Sequence, residues 1–143
     1  MVNATSQQGV PVFIGDVIAG NHHDLFDIID QFKKLVCWGV GAGIRLKGVV
    51  VNMDKKFDIK ALRQFCFRHG LIPNVKENVR NRKKPKRGRK RKFDEVAYKN
   101  RFVCERTWAW YDSFRTLLTR FETSTCNWKS WHYFASFMMV PKV

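Results

Sequence analysis

At 143 residues the chain is the length of one domain, long enough to bury about two-thirds of its unfolded surface. A hydrophobic fraction of 45% and an aromatic fraction of 14% argue for a packed core and exclude wholesale disorder. The formal net charge of +15, from 27 Lys and Arg against 12 Asp and Glu, points to polyanionic partners.

In chain order, VPVFIGDVIA (10–19) is apolar and β-branched and reads as a strand. GNHHD follows as a turn, with Asn21 and Asp24 available for capping. From Asp24 to Trp38, the residues Leu25, Phe26, Ile28, Ile29, Phe32, Leu35 and Val36 recur at helical spacing, and GVGAG (39–43) ends that helix. KGVVVNMD (47–54) is a short apolar run of the kind buried in a sheet covered on both faces. Asp58 is placed to cap a helix running to about His69, with Ile59, Leu62, Phe65 and Cys66 inward and Gly70 as its stop. LIPNV (71–75) reads as an edge strand, because Pro73 cannot donate to a ladder. A long helical pattern runs from Asp94 or Glu95 to about Glu122, with Val103, Thr107, Trp110, Phe114, Leu117, Leu118 and Phe121 as its apolar stripe. A last amphipathic stretch begins near Asn127.

This is an α/β order. About three strands is thin for an open sheet, so either the chain dimerises or part of the sheet precedes Met1. Cys37, Cys66, Cys104 and Cys126 form no Cys-x-x-Cys pair, which suits reduced, buried thiols rather than a zinc site or disulfide frame. MVNATSQQG lacks the charged start and apolar run of a signal peptide, and no stretch approaches the roughly 20 apolar residues of a membrane span. A soluble protein is expected.

The charge is local. Between Lys76 and Lys92, KENVRNRKKPKRGRKRK holds eleven Lys or Arg among 17 residues and one acid, Glu77, leaving about +5 for the remainder. A concentrated run inside foldable sequence suggests a defined contact strip for phosphates. A solvated insertion or a nuclear localisation signal is the alternative on composition alone.

Few residues stand out for chemistry by themselves. Asp54 ends a buried strand, where open α/β sheets place catalytic groups, but a turn-initiating Asp would look the same. Glu105 lies opposite the apolar stripe of its helix, where a charge is ordinarily solvated or paired with Arg101 at i,i+4. His22, His23 and Asp24 fit turn and cap roles better than a metal site. Trp108, Trp110, Trp128 and Trp131 fall in helical patterns, favouring packing over base stacking.

AYKNRFVCERTWAWYDSFRTLLTRFETS (97–124) resembles the C-terminal signature of bacterial insertion-sequence transposases of the DDE type. In that family a late helix carries Tyr, two residues, Arg, three residues and the catalytic Glu; Tyr98, Arg101 and Glu105 have that spacing. VVVNMDKKFDIKALRQFCFRHGLIPNV (49–75) resembles the segment around the family's second catalytic Asp, with Asp54 in that place and Phe57-Asp58 as the following aromatic-Asp pair. GVPVFIGDVIAGNHHDLFDI (9–28) is similar to the segment before it.

The resemblance implies a ribonuclease-H-like fold and phosphoryl transfer on DNA, in which three carboxylates hold Mg²⁺ or Mn²⁺. Asp54 and Glu105 would be two of the three. Asp16, the one early strand candidate for the first Asp, falls in the segment that normally follows that strand. The economical expectation is that residues 1–143 are the C-terminal part of one catalytic domain, lacking the first Asp and unable to cleave DNA alone. The basic loop at 76–93 would then lie beside the catalytic face, with Arg82, Lys83, Lys84, Lys86, Arg87, Arg89, Lys90, Arg91 and Lys92 on phosphates. Transposon ends and target DNA are the implied partners, with a homo-oligomer in the bacterial cytoplasm and no membrane. The competing class is a non-catalytic nucleic-acid-binding module.

Overall fold

In the computed structural model residues 1–23, 25–78 and 92–140 are described, and they belong to two compact units: Asp24–Arg101, and Met1–His23 with Phe102–Val143. The architecture is mixed α/β, with four strands and several helices among the described residues.

The unit Asp24–Arg101 is built on a strand–helix–strand repeat. Helix α1 (Ile28–Gly41) precedes strand β3 (Val50–Met53), a 3₁₀ turn (Lys55–Phe57), helix α2 (Lys60–Arg68), strand β4 (Ile72–Val75) and the short helix α3 (Glu95–Lys99). Strands β3 and β4 pair in parallel, with Val50 opposite Ile72 and Met53 opposite Val75. Two parallel neighbours need a crossover, and α2 supplies it. Its inward face, Leu62, Phe65 and Cys66, is buried, as are Ile28, Phe32, Met53, Leu71 and Val75 of the same unit. Phe32 of α1 and Phe65 of α2 meet edge to face, with centroids 6.4 Å apart. Helix α2 stops as expected at Gly70: its N–H reaches the Phe67 carbonyl (3.1 Å) and the Leu71 N–H the Cys66 carbonyl (2.9 Å), a Schellman motif. Gly70 sits at φ 73°, which favours glycine, and a Cβ there would crowd the Lys47 Cα at 3.3 Å.

In the other unit, β1 (Asn3–Thr5) and β2 (Pro11–Ile14) form an antiparallel hairpin, followed after residue 101 by helices α4 (Phe102–Asp112), α5 (Arg115–Leu118) and α6 (Thr125–Met139). The turn of the hairpin fits against α4 by hydrogen bonds from Thr107 Oγ1 to the Gly9 carbonyl (2.9 Å) and from Arg106 Nη2 to that of Gln8 (2.8 Å). Gly9 has φ 91° and a Cβ there would lie 3.1 Å from Val103. Tyr111, Leu117, Ala135 and Met139 form the core between α4, α5 and α6, and Tyr111 Oη bonds Ser136 Oγ at 2.6 Å.

Several expectations need correction. The strand at 10–19 is only Pro11–Ile14, and its partner β1 comes from a polar segment with no strand signature. The strands make two separate two-stranded sheets rather than one open sheet of about three. Helix α1 begins at Ile28 rather than Asp24, because Asp27 takes a left-handed conformation (φ 52°), and it runs through Gly39 to Gly41. The long helix is three pieces, interrupted at 100–101 and 113–114. The expected stripe holds at Val103, Thr107 and Leu117, which are buried, and gains Tyr111, but Leu118 and Phe121 are 64% and 65% exposed. Ile59 rather than Asp58 takes the N-cap position of α2, and the Asp58 carboxylate binds Arg63. All four cysteines are free thiols, but only Cys66 is buried, since Cys37 and Cys126 lie on outward helix faces.

Candidate nucleic-acid-processing site

Strand β3 buries Met53 and then releases Asp54 at its C-terminal end in an extended conformation (φ −63°, ψ 151°). The Asp54 carbonyl accepts the Phe57 N–H at 2.9 Å, closing the 3₁₀ turn, and its carboxylate makes no cap to that turn. The backbone alone forms the turn, which leaves the side chain available for another role. Asp54 Oδ2 lies 3.9 Å from Arg101 Nη1, with the two side chains 37% and 34% exposed. That is a charge contact too long for a hydrogen bond, and at this exposure it adds little to stability. The Arg101 guanidinium lies 5.9 Å from the Tyr98 ring centroid, and the Tyr98 ring in turn is 5.0 Å from that of Phe93. Thus Arg101, backed by Tyr98 of the same sequence motif, meets Asp54, from another, within a single unit.

Below this group lies a polar layer that the apolar patterning did not single out. Asn52 and Asn74 stand opposite each other on β3 and β4, and Asn74 Nδ2 donates to Asn52 Oδ1 at 2.8 Å. Asn52 Nδ2 donates to the Ala97 carbonyl of α3 at 2.9 Å. Beside α2, the buried Arg63 guanidinium binds Asp58 Oδ1 through Nε at 2.7 Å. The signal was present in the sequence: two Asn in equivalent places of two short apolar strands, and an Arg next to the innermost residue of an apolar helix face.

Glu105 lies in the first turn of α4, exposed, while Val103, Thr107 and Tyr111 are buried on that helix. It belongs to the unit with Phe102–Val143, and Asp54 to the other. Asp16 follows β2 and pairs with Lys129 Nζ of α6 at 3.0 Å. His22 lies in a turn, its N–H bonded to the Ala19 carbonyl. Of the basic residues expected on phosphates, Lys92 is exposed, and Arg82, Lys83, Lys84, Lys86, Arg87, Arg89, Lys90 and Arg91 lie outside the described residues.

Asp54 and Glu105 offer the hard oxygen donors that Mg²⁺ or Mn²⁺ prefers. Among the described residues, however, no group of three or more His, Cys, Asp or Glu is placed to hold a metal ion. The donor type fits and the donor number does not, so no metal-dependent step follows from this geometry. No described helix is long and apolar enough to cross a membrane.

Comparison with known proteins finds neither a curated protein nor a solved structure that matches. The model of one family, the Transposase DDE domain, does match, over residues 3–135, a span that takes in Asp54, Tyr98, Arg101 and Glu105. With nearly the whole chain covered, the protein belongs to the transposase DDE-domain family.

Proposed function

We propose that the chain is part of an insertion-sequence transposase that binds DNA and contributes Asp54 and Glu105 to its strand-transfer site. The observation that carries this reading is the meeting of Asp54 with Arg101 at the C-terminal end of a parallel strand pair, within a span matched by the family. Open α/β sheets bind ligands at that end. A ribonuclease-H-like fold is the framework in which the parallel β3–α2–β4 repeat finds its role, in one catalytic domain that the chain only partly supplies.

The family generally uses a divalent metal. Asp54 and Glu105 would be two of three carboxylate ligands, and the ion would supply charge for the departing and attacking oxygens of DNA. Arg101 balances Asp54 electrostatically, and Tyr98 supports Arg101. The Lys and Arg of 76–92 contact phosphates without reading bases. Transposon ends and target DNA are the partners, in a cytoplasmic assembly that is a homo-oligomer.

Duplex binding measured across a salt series tests the DNA reading. If about five phosphates are engaged, log K falls against log salt with a slope of about −4 to −5. Binding indifferent to salt would overturn it. With two of three carboxylates, the chain alone leaves supercoiled plasmid intact in Mg²⁺ or Mn²⁺; strong nicking lost in Asp54→Ala would refute that count. Binding that obeys the salt slope in a chain that still fails to cleave when the rest of the catalytic domain is supplied would place it among non-catalytic DNA-binding modules.

A further inference from the structure

We propose that Arg63 and Asn74 are positioning residues that clamp the two ends of the basic segment to the β3–β4 sheet, beside Asp54. The inference rests on the reading that the segment between Lys76 and Lys92 binds DNA.

The parallel register fixes the geometry. Met53 stands opposite Val75, so the residues that follow them, Asp54 and Lys76, leave the sheet at the same end. Here the departing chain is held. Arg63 uses its fork twice, with Nε on Asp58 Oδ1 at 2.7 Å and Nη2 on the Val75 carbonyl at 2.9 Å. Asp58 presents its other oxygen, Oδ2, to the Asn78 N–H at 2.9 Å. Arg63 and Asp58 are 7% and 8% exposed, so this attachment is made inside the protein and water competes with it weakly.

The returning chain is held from the neighbouring position. Asn74, 3% exposed, accepts the Asp94 N–H on Oδ1 at 3.0 Å and donates through Nδ2 to the Asp94 carbonyl at 2.8 Å. One side-chain amide thereby satisfies both backbone groups of a single residue, as a strand neighbour would. Asp94 then caps α3 by accepting the Ala97 N–H at 2.9 Å, while Asn52 holds the Ala97 carbonyl. Position 74 thus grips residue 94 while position 75 starts the outgoing chain, and both ends of the basic segment are set next to the strand end that carries Asp54.

Core packing alone does not require this. Apolar residues at 63 and 74 would fill the same space, and buried polar groups are costly unless fully bonded. What the polar groups add is attachment of two specific backbone stretches. Held ends fix where the chain leaves and rejoins the sheet before DNA binds, while the number of phosphates contacted stays the same.

The test uses the whole chain, with Arg63→Lys, Asn74→Ala and a variant in which the Lys and Arg of 82–92 are replaced by Gln. Hydrogen exchange is followed at the Asn78 and Asp94 amides, and a fluorescent duplex is titrated across salt at a temperature where each variant is folded. Arg63→Lys keeps the charge for Asp58 but loses the fork, so the fold survives while the Asn78 end loosens. The expected result is faster exchange at Asn78 in Arg63→Lys and at Asp94 in Asn74→Ala. Affinity then falls about tenfold, the equivalent of ordering one residue's backbone, with the salt slope unchanged. The Gln variant flattens the slope without altering exchange at either amide. Faster exchange with unaltered affinity overturns the clamp and leaves the DNA reading intact, and so does unaltered exchange in both clamp variants. A salt-independent wild type overturns the DNA reading and the clamp with it, and a Gln variant that retains the full slope overturns the assignment of phosphate contacts to this segment and, with it, the clamp.

Discussion

Replacing Arg63 by Met should destabilise the unit Asp24–Arg101 strongly, and the reason lies in what remains behind. The side chains of Arg63 and Asp58 are 9% and 6% exposed, and their contact is 2.7 Å. Methionine fills most of the space of the arginine stem but leaves the Asp58 carboxylate buried without its guanidinium, a loss of about 3–5 kcal/mol. It also removes the donor to the Val75 carbonyl, worth about 1 kcal/mol more. Against a typical domain stability of about 5–15 kcal/mol, that is enough to bring the urea midpoint close to zero in a marginal protein. Asp58→Leu combined with Arg63→Met removes both charges and should recover most of the loss. The recovery stops short of complete because the Asn78 N–H and Val75 carbonyl no longer meet these side chains. Trp38 is the one tryptophan of this unit, the other four lying after residue 101, so in a background where those four are Phe the fluorescence in a urea titration reports this unit alone. A single variant that loses less than about 1 kcal/mol, or a double variant no better than the single, would refute the claim that a paired buried charge is at stake.

Three further outcomes follow from the same packing. His132 is 2% exposed and burial holds its pKa below the ordinary 6.5, so the unfolded chain takes up a proton that the folded one resists. Its contribution is therefore complete above about pH 6.5 and lost as pH falls below it, by at most about 1.4 kcal/mol per pH unit; His132→Phe should flatten that acid limb in denaturation monitored by the tryptophans after residue 101. Burial pushes the Cys66 thiol up to about 11, so a thiol reagent at neutral pH should modify the exposed Cys37 and Cys126 at once and Cys66 only on unfolding; prompt labelling of Cys66 in native protein would contradict the packing of α2. Gly70→Ala should cost about 1–2 kcal/mol in thermal or urea unfolding, because alanine must adopt φ 73° against Lys47; a neutral effect would mean the α2 stop is not built this way.

The elements that sequence made legible were those with a local cause. Helix α2 announces itself through Leu62, Phe65 and Cys66 at helical spacing and through Gly70, and the structure ends it there by the expected bonds. Asp94 was placed at the start of a helix and caps one through Ala97. The misses have non-local causes. Nothing in NAT marks a strand, and β1 exists because β2 lies beside it and α4 receives the hairpin turn. Asp58 looked like a helix cap because capping is a near-neighbour pattern, whereas its actual partners, Arg63 and Asn78, depend on where α2 and the end of β4 meet. Asn52 and Asn74 become a pair only once the parallel register is known.

The interruption at Asn100–Arg101 bears most directly on the candidate site. In one unbroken helix, Tyr98, Arg101 and Glu105 would lie at i, i+3 and i+7 and share a face, so the spacing of the motif would have a purely helical explanation. The chain instead ends α3 at Lys99, with the Asn100 N–H on the Ala97 carbonyl and that of Arg101 on Tyr98, and starts α4 at Phe102. Tyr98 and Arg101 thereby remain with the sheet, whose Asn52 and Asn74 hold α3 through Ala97 and Asp94, and Arg101 is directed to Asp54. Glu105 begins a helix whose inward residues, Val103 and Thr107, serve the β1–β2 hairpin. The motif is therefore divided by the fold, Arg101 facing the Asp54 carboxylate with Tyr98 against its guanidinium, and Glu105 carried by a helix of the other unit. Spacing of this kind records where a turn must come as well as which residues share a helix face.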